Sequence, residues 1–137
     1  MTELEKKLKR PFKTNEVKWR KGKGSQKLAY VDARTVMHRL DDVFGVTGWQ
    51  TETSVGPSGQ YICKLSVWDD EKMQWVSKSN GADGSNFEEI KGGFSDAFKR
   101  AAVMFGIGRY LYSIKGDTLP VWATPEGFDR LAEEGKI

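Results

Sequence analysis

The sequence predicts an α+β protein in which helices pack on an antiparallel β-sheet, in the order β-β-α-β-β-β-α. Three observations lead there. Two stretches, residues 33–44 and 87–105, carry apolar residues at the 3.6-residue period of a helix. Three stretches between them, 49–55, 61–68 and 74–79, alternate or carry strand-type residues between turn signals. Ahead of both, two short strand-like segments flank the glycine-containing stretch KGKGSQ and read as a basic β-hairpin.

Each element has its own reason. Residues 2–9 form a short amphipathic helix that Pro11 stops. Residues 16–20 alternate around Val17 and Trp19 as a first strand, and KLAYV, residues 27–31, returns as the second. Asp32 is a favourable N-cap for ARTVMHRLDDVF, whose apolar face is Val36, Met37, Leu40, Val43 and Phe44. Gly45 supplies the stop. GPSGQ and DDEK are the turns of a three-stranded meander. In its middle strand Tyr61, Cys63, Leu65 and Val67 face the core, opposite Ile62, Lys64, Ser66 and Trp68. SNGADGSN, residues 79–86, reads as a polar loop. The helix over 87–105 contains Gly92 and Gly93, either a weak point or a close-packing site, and Ser95 is an alternative start for a separate second helix. GIGRYLY ends it, Pro120 and Pro125 bound a connector, and PEGFDRLAEEG closes the chain as a short helix.

The 137 residues suit one domain, with a lead-in over 1–14, a core over 15–113 and a connector and helix over 114–137. No apolar run approaches the about 18 residues that span a bilayer. The beginning, MTELEKKLKR, has acids and no apolar centre, unlike a secretory signal. The single cysteine, Cys63, leaves no internal disulfide framework and suits a reducing compartment, so the cytoplasm is the expected location, with no membrane partner. Net charge is only +3, but its distribution is uneven. Between Lys6 and Lys27 the cations Lys6, Lys7, Lys9, Arg10, Lys13, Lys18, Arg20, Lys21, Lys23 and Lys27 face one acid, Glu16. Such segregation is the footprint of a polyanion partner, or of a solvated basic end.

Catalytic chemistry finds little support. His38 is the only histidine and lies on the polar side of its helix, while Cys63 lies on the apolar face of a strand. Neither has the companions of a zinc site. The pairs Asp41-Asp42, Asp69-Asp70 and Glu88-Glu89 fall on a wet helix face, in a turn and near a helix start, where acids need no metal to explain them. GKGSQ lacks the lysine-hydroxyl ending of a phosphate loop. No enzyme activity, cofactor or metal is expected.

The sharpest signal is the pair Lys99-Arg100 in the middle of a small-residue helix, SDAFKRAAVMFGIGRYLYS. In an unbroken helix Lys91, Ser95 and Lys99 recur every fourth residue on one face, with Arg100 about 100° round at its edge. Phe94, Phe98, Ala101, Ala102 and Phe105 take the remaining surface against the sheet. A row of cations and a hydroxyl on a rigid element suits phosphate contact without base reading. An ordinary wet helix face is the alternative.

LAYVDARTVMHRLDDVFGVTGW followed by FSDAFKRAAVMFGIGRYLYS resembles the Rad52 family of single-strand annealing proteins, closest to its short phage and bacterial members, over residues 17–113. The resemblance implies a projecting basic hairpin and a groove between hairpin and body that holds single-stranded DNA by its backbone. It implies annealing of complementary strands in homologous recombination and double-strand break repair, without ATP, by a homo-oligomeric ring or helical filament. Other recombination proteins, such as a single-strand-binding protein, would be further partners. The family's Lys-Arg pair maps on Lys99 and Arg100, and its basic residue two turns earlier on Lys91. Two arginines of eukaryotic members are replaced, at Thr35 and Val103, and Arg34 and Arg109 are the candidate substitutes. Ser95 and the hairpin cations Lys18, Arg20, Lys21, Lys23 and Lys27 complete the expected DNA-binding set. The alternative is a single-strand-binding or DNA-end-protecting module without annealing activity, with Trp19, Tyr30 and Trp49 as stacking candidates. A domain that uses its basic end on an acidic protein is a third.

Overall fold

The computed structural model describes the backbone of residues 1–82 and 87–137, and side chains outside 83–91. The elements run α1 (Glu3–Lys9), β1 (Lys18–Lys21), β2 (Lys27–Tyr30), α2 (Ala33–Phe44), β3 (Trp49–Val55), β4 (Tyr61–Asp69), β5 (Gln74–Ala82), α3 (Phe87–Met104) and α4 (Pro125–Glu133), with 3-10 turns at Thr14–Glu16, Arg109–Ser113 and Val121–Ala123. The α+β class and the antiparallel pairing follow the sequence. Among the described residues the strands form two sheets, however: β1 and β2 pair as a hairpin, and β3-β4-β5 form a separate meander.

The meander buries one face. Its register sets Leu65 opposite Thr51 on one side and Lys78 on the other. Cys63, Leu65 and Val67 are buried there against α3, which packs Ala97, Phe98, Ala101 and Ala102 onto β4 and β5. Small side chains let the α3 backbone approach closely. A methyl group at Gly93 would overlap the Tyr61 ring, so Gly93 is a packing site and α3 runs unbroken through it. Val36 and Leu40 of α2 close the core from the side. The opposite face of the meander holds a Ser66–Ser77 hydroxyl hydrogen bond of 2.7 Å and the edge-to-face Trp68–Trp75 pair.

Several expectations are corrected. Glu16 lies in a 3-10 turn rather than a strand, because its carboxylate accepts the Lys13 backbone N–H at 3.1 Å. Strand β5 continues through Ser79–Ala82, where β4 supplies pairing partners that the local sequence does not advertise. The rest of the expected loop, 83–86, lies outside the described residues. Met37 points to water at 40% exposure, so the core-facing stripe of α2 is narrower than its periodicity suggests. Phe94 is also exposed, packed edge-on against Tyr61 rather than into the core. Asp32 occupies the N-cap position of α2, but its carboxylate makes no capping hydrogen bond.

Among the residues not singled out by pattern, Arg39 joins α2 to the end of α1. Its guanidinium donates to the carbonyls of Lys7, Leu8 and Arg10 at 3.2, 3.2 and 2.7 Å and lies 4.4 Å from the Phe12 ring centroid. These carbonyls end α1, where a cation is favourable.

Candidate nucleic-acid interface

The hairpin folds back so that β2 and its continuation lie beside α3, and a cleft opens between them. Ala29, Tyr30 and Val31 form one wall with Arg20 from β1. Lys99, Arg100, Val103 and Asp96 form the other. The turn after α3 makes the end, with Gly108, Leu111 and Tyr112. The cleft holds about 130 Å³. That is below the about 300 Å³ at which small-molecule pockets begin.

Lys99 is built into this wall. Its stem is largely covered, with the side chain 25% exposed, and its ammonium donates to the Val31 carbonyl at 3.3 Å. The same ammonium sits 5.6 Å from the centroid of the Tyr30 ring, and the Arg20 guanidinium sits 5.8 Å from it. Cations over an aromatic face are attracted by its quadrupole. Tyr30 thereby ties hairpin and α3 together. Asp96, 3.9 Å away and one turn earlier, is too far for a hydrogen bond and leaves the ammonium incompletely neutralised. Arg100 is exposed at the lip of the cleft.

The remaining expected residues divide. Lys18 is engaged by Asp32 at 2.6 Å. That hydrogen bond holds the Asp32 carboxyl below its ordinary range and the Lys18 ammonium above its own. Lys21 and Lys27 face each other across the last pair of the hairpin, exposed, with Lys23 exposed in the turn beyond. Like charges directly opposite destabilise a hairpin, and an anionic ligand would relieve them. Arg34 is exposed in the first turn of α2, close enough to Asp32 to lower its pKa further, but does not line the cleft. Ser95 is exposed on α3 one turn before Lys99, also outside the lining. The Lys91 backbone belongs to α3, and its side chain lies outside the described residues. Arg109 turns back on the helix before it: its Nε and an Nη donate to the carbonyls of Val103 and Met104 at 3.1 and 3.0 Å, so it caps α3 instead of lining the cleft.

Of the three stacking candidates only Tyr30 reaches the cleft. Trp49 donates its indole N–H to Asp41 at 2.7 Å and packs beside Phe98, and Trp19 packs against the core. Pattern reading missed Tyr112 as a lining residue. The turn residue Gly108, in the left-handed region at φ 74°, is the local cue that the chain reverses there and carries Tyr112 back to the cleft.

Other sites offer less. Cys63 is fully buried, and burial pushes its thiol pKa up, the reverse of an activated nucleophile. Among the described residues no three of His, Cys, Asp and Glu gather as metal ligands. A second hollow of about 540 Å³ lies between the lead-in and α2, with His38 on its rim. Its central cation, Arg39, already serves three carbonyls, and Arg10 is held by both oxygens of Asp129 at 3.0 and 2.9 Å. No described helix is long and apolar enough to cross a membrane.

A family model described as Rad52/22 family double-strand break repair protein matches residues 1–119. The single-stranded DNA-binding protein DdrA of Deinococcus deserti is 31% identical over 150 residues, covering 92% of this chain and 72% of the relative. The protein of the same name from Deinococcus radiodurans is 29% identical, over 92% of this chain and 70% of its own length.

Proposed function

This chain belongs to the Rad52/22 family of double-strand break repair proteins, and on that premise we propose that it binds single-stranded DNA and anneals complementary strands. The observation that carries the reading is the cleft in which Lys99, Arg100 and Arg20, drawn from α3 and the hairpin, face one narrow channel. Cations so placed neutralise successive phosphates of an extended strand and read no sequence. The exposed Lys21, Lys23 and Lys27 extend the positive field along the hairpin. Lys91 and Ser95 belong to the same α3 surface, Arg34 borders it on α2, and Lys18 is a cation held in reserve by Asp32. Arg109 has only a supporting part, through the end of α3.

Annealing then needs no covalent step and no nucleotide. The protein holds backbones and lowers their repulsion, and Watson-Crick pairing supplies the driving force. One cleft spans only a few nucleotides. A row of them, in a homo-oligomeric ring or helical filament, would hold enough strand to search for a complement. The open edges of β3 and β5 are surfaces that such an assembly can cover.

The test is the annealing rate of two labelled complementary oligonucleotides, with and without protein, in EDTA and without nucleotide. Acceleration is expected. Tight single-strand binding without acceleration selects the protective module instead. Absence of binding at low salt overturns both.

A further inference from the structure

We propose that Tyr112 is a base-stacking residue of the cleft, its ring taking one nucleobase of the strand whose phosphates meet Lys99 and Arg100. This rests on the single-strand reading above and adds to it a contact that the cations do not supply.

The three residues before Tyr112 in its turn each have a structural task. Arg109 caps α3 through the carbonyls of Val103 and Met104. The Tyr110 hydroxyl accepts the Phe12 backbone N–H at 3.0 Å. Leu111 is buried in the core. Tyr112 is 71% exposed, yet it lines the cleft beside the cationic wall. A large aromatic ring held in water at the mouth of a charged channel contributes little to the fold. It keeps most of its surface open to a ligand.

The backbone beneath the ring is constrained. Gly108 turns the chain, and the N–H of Leu111 donates to the Gly108 carbonyl at 3.1 Å. The N–H of Ile114 donates to the Leu111 carbonyl at 3.3 Å. Leu111 and Ile114, on either side, are both buried. A ring on such a platform has little backbone freedom to lose on binding, which favours affinity. Stacking suits a sequence-tolerant binder, because every base offers a π-face. It also differs from the phosphate contacts in its physics: it is nearly independent of salt, whereas theirs is not.

The experiment compares the intact protein with Tyr112→Ala and Tyr112→Phe. Dissociation constants are measured across a salt series for a labelled single-stranded oligonucleotide and for one of equal length carrying abasic sites. Tyr112→Ala is expected to weaken binding to the base-bearing strand by about five- to one-hundred-fold with an unchanged salt slope. Tyr112→Phe is expected to bind as the intact protein does. On the abasic strand, intact protein and Tyr112→Ala should bind alike. Equal affinity of intact protein and Tyr112→Ala on the base-bearing strand overturns the assignment. So does an equal loss on both strands, or a flattened salt slope, each of which makes Tyr112 a residue that shapes the cleft or its field. If the intact protein binds neither strand, the single-strand reading itself fails. That outcome is distinct from an intact protein that binds while Tyr112→Ala proves indifferent.

Discussion

Replacing Lys99 and Arg100 together with Ala removes two of the three cations that line the cleft among the described residues. Each phosphate neutralised on a single strand contributes about 0.7 to the slope of log affinity against log salt, so the double variant should show a slope shallower by about 1.4. Between about 50 and 200 mM salt, a fourfold range, the intact protein should therefore lose about sevenfold more affinity than the variant. The assay is fluorescence anisotropy of a labelled oligonucleotide titrated at several salt concentrations. The two single variants should separate in stability. Lys99 donates to the Val31 carbonyl and leans on Tyr30, so Lys99→Ala should cost about 1 kcal/mol of folding stability. Arg100, at the exposed lip, should cost about 0.5 kcal/mol or less. Binding is compared well below the melting temperatures, so the stability difference does not enter the slopes. Lys72→Ala, an exposed lysine in the β4-β5 turn, is the control and should leave the slope unchanged. An intact slope in the double variant would refute the placement of the strand in this cleft.

Four further outcomes follow from particular contacts and burial. Asp32→Asn should free Lys18, whose ammonium it holds at 2.6 Å, and steepen the salt slope by about 0.7, with α2 intact because the carboxylate makes no capping bond. Acid should act in the same direction. The Asp32 carboxyl is held below its ordinary range, so the pair is complete above the unfolded value of about 4 and is lost as pH falls through the lower folded value, which a pH series of the slope would read. Cys63 should resist thiol reagents at neutral pH in the folded protein and react fully in denaturant; ready labelling of the native chain would contradict its burial. Arg39→Met should destabilise the fold by about 2 kcal/mol, measured by urea unfolding, because the carbonyls of Lys7, Leu8 and Arg10 lose a charged donor.

Much of this fold was legible in local pattern. The bounds of α2 and β3 coincide with those read from periodicity, and the buried Cys63, Leu65 and Val67 are the inward positions of an alternating strand. Pattern failed where a distant partner decides. Ser79–Ala82 carries small and polar residues with turn character, yet β4 pairs with it from Tyr61 onward. Met37 and Phe94 have core chemistry at helical spacing, but both stay exposed, Phe94 with its ring edge-on against Tyr61 of β4.

The candidate site divides in the same way. Sequence alone determined the apolar and small faces that build α3, the unusual Lys99-Arg100 pair set among them, and the segregation of lysines on the hairpin, because composition and periodicity are local properties. Which cations work together was decided by the tertiary structure. Lys99 meets Val31 across 68 positions of chain, and Arg20 shares the Tyr30 ring with it only because the hairpin folds back on α3. Lys18 and Arg109 look the same as these in the sequence, but a nearby carboxylate holds one and the end of a helix the other. A cation's availability depends on the acceptors that surround it in space, and those are supplied by contacts that no local pattern encodes.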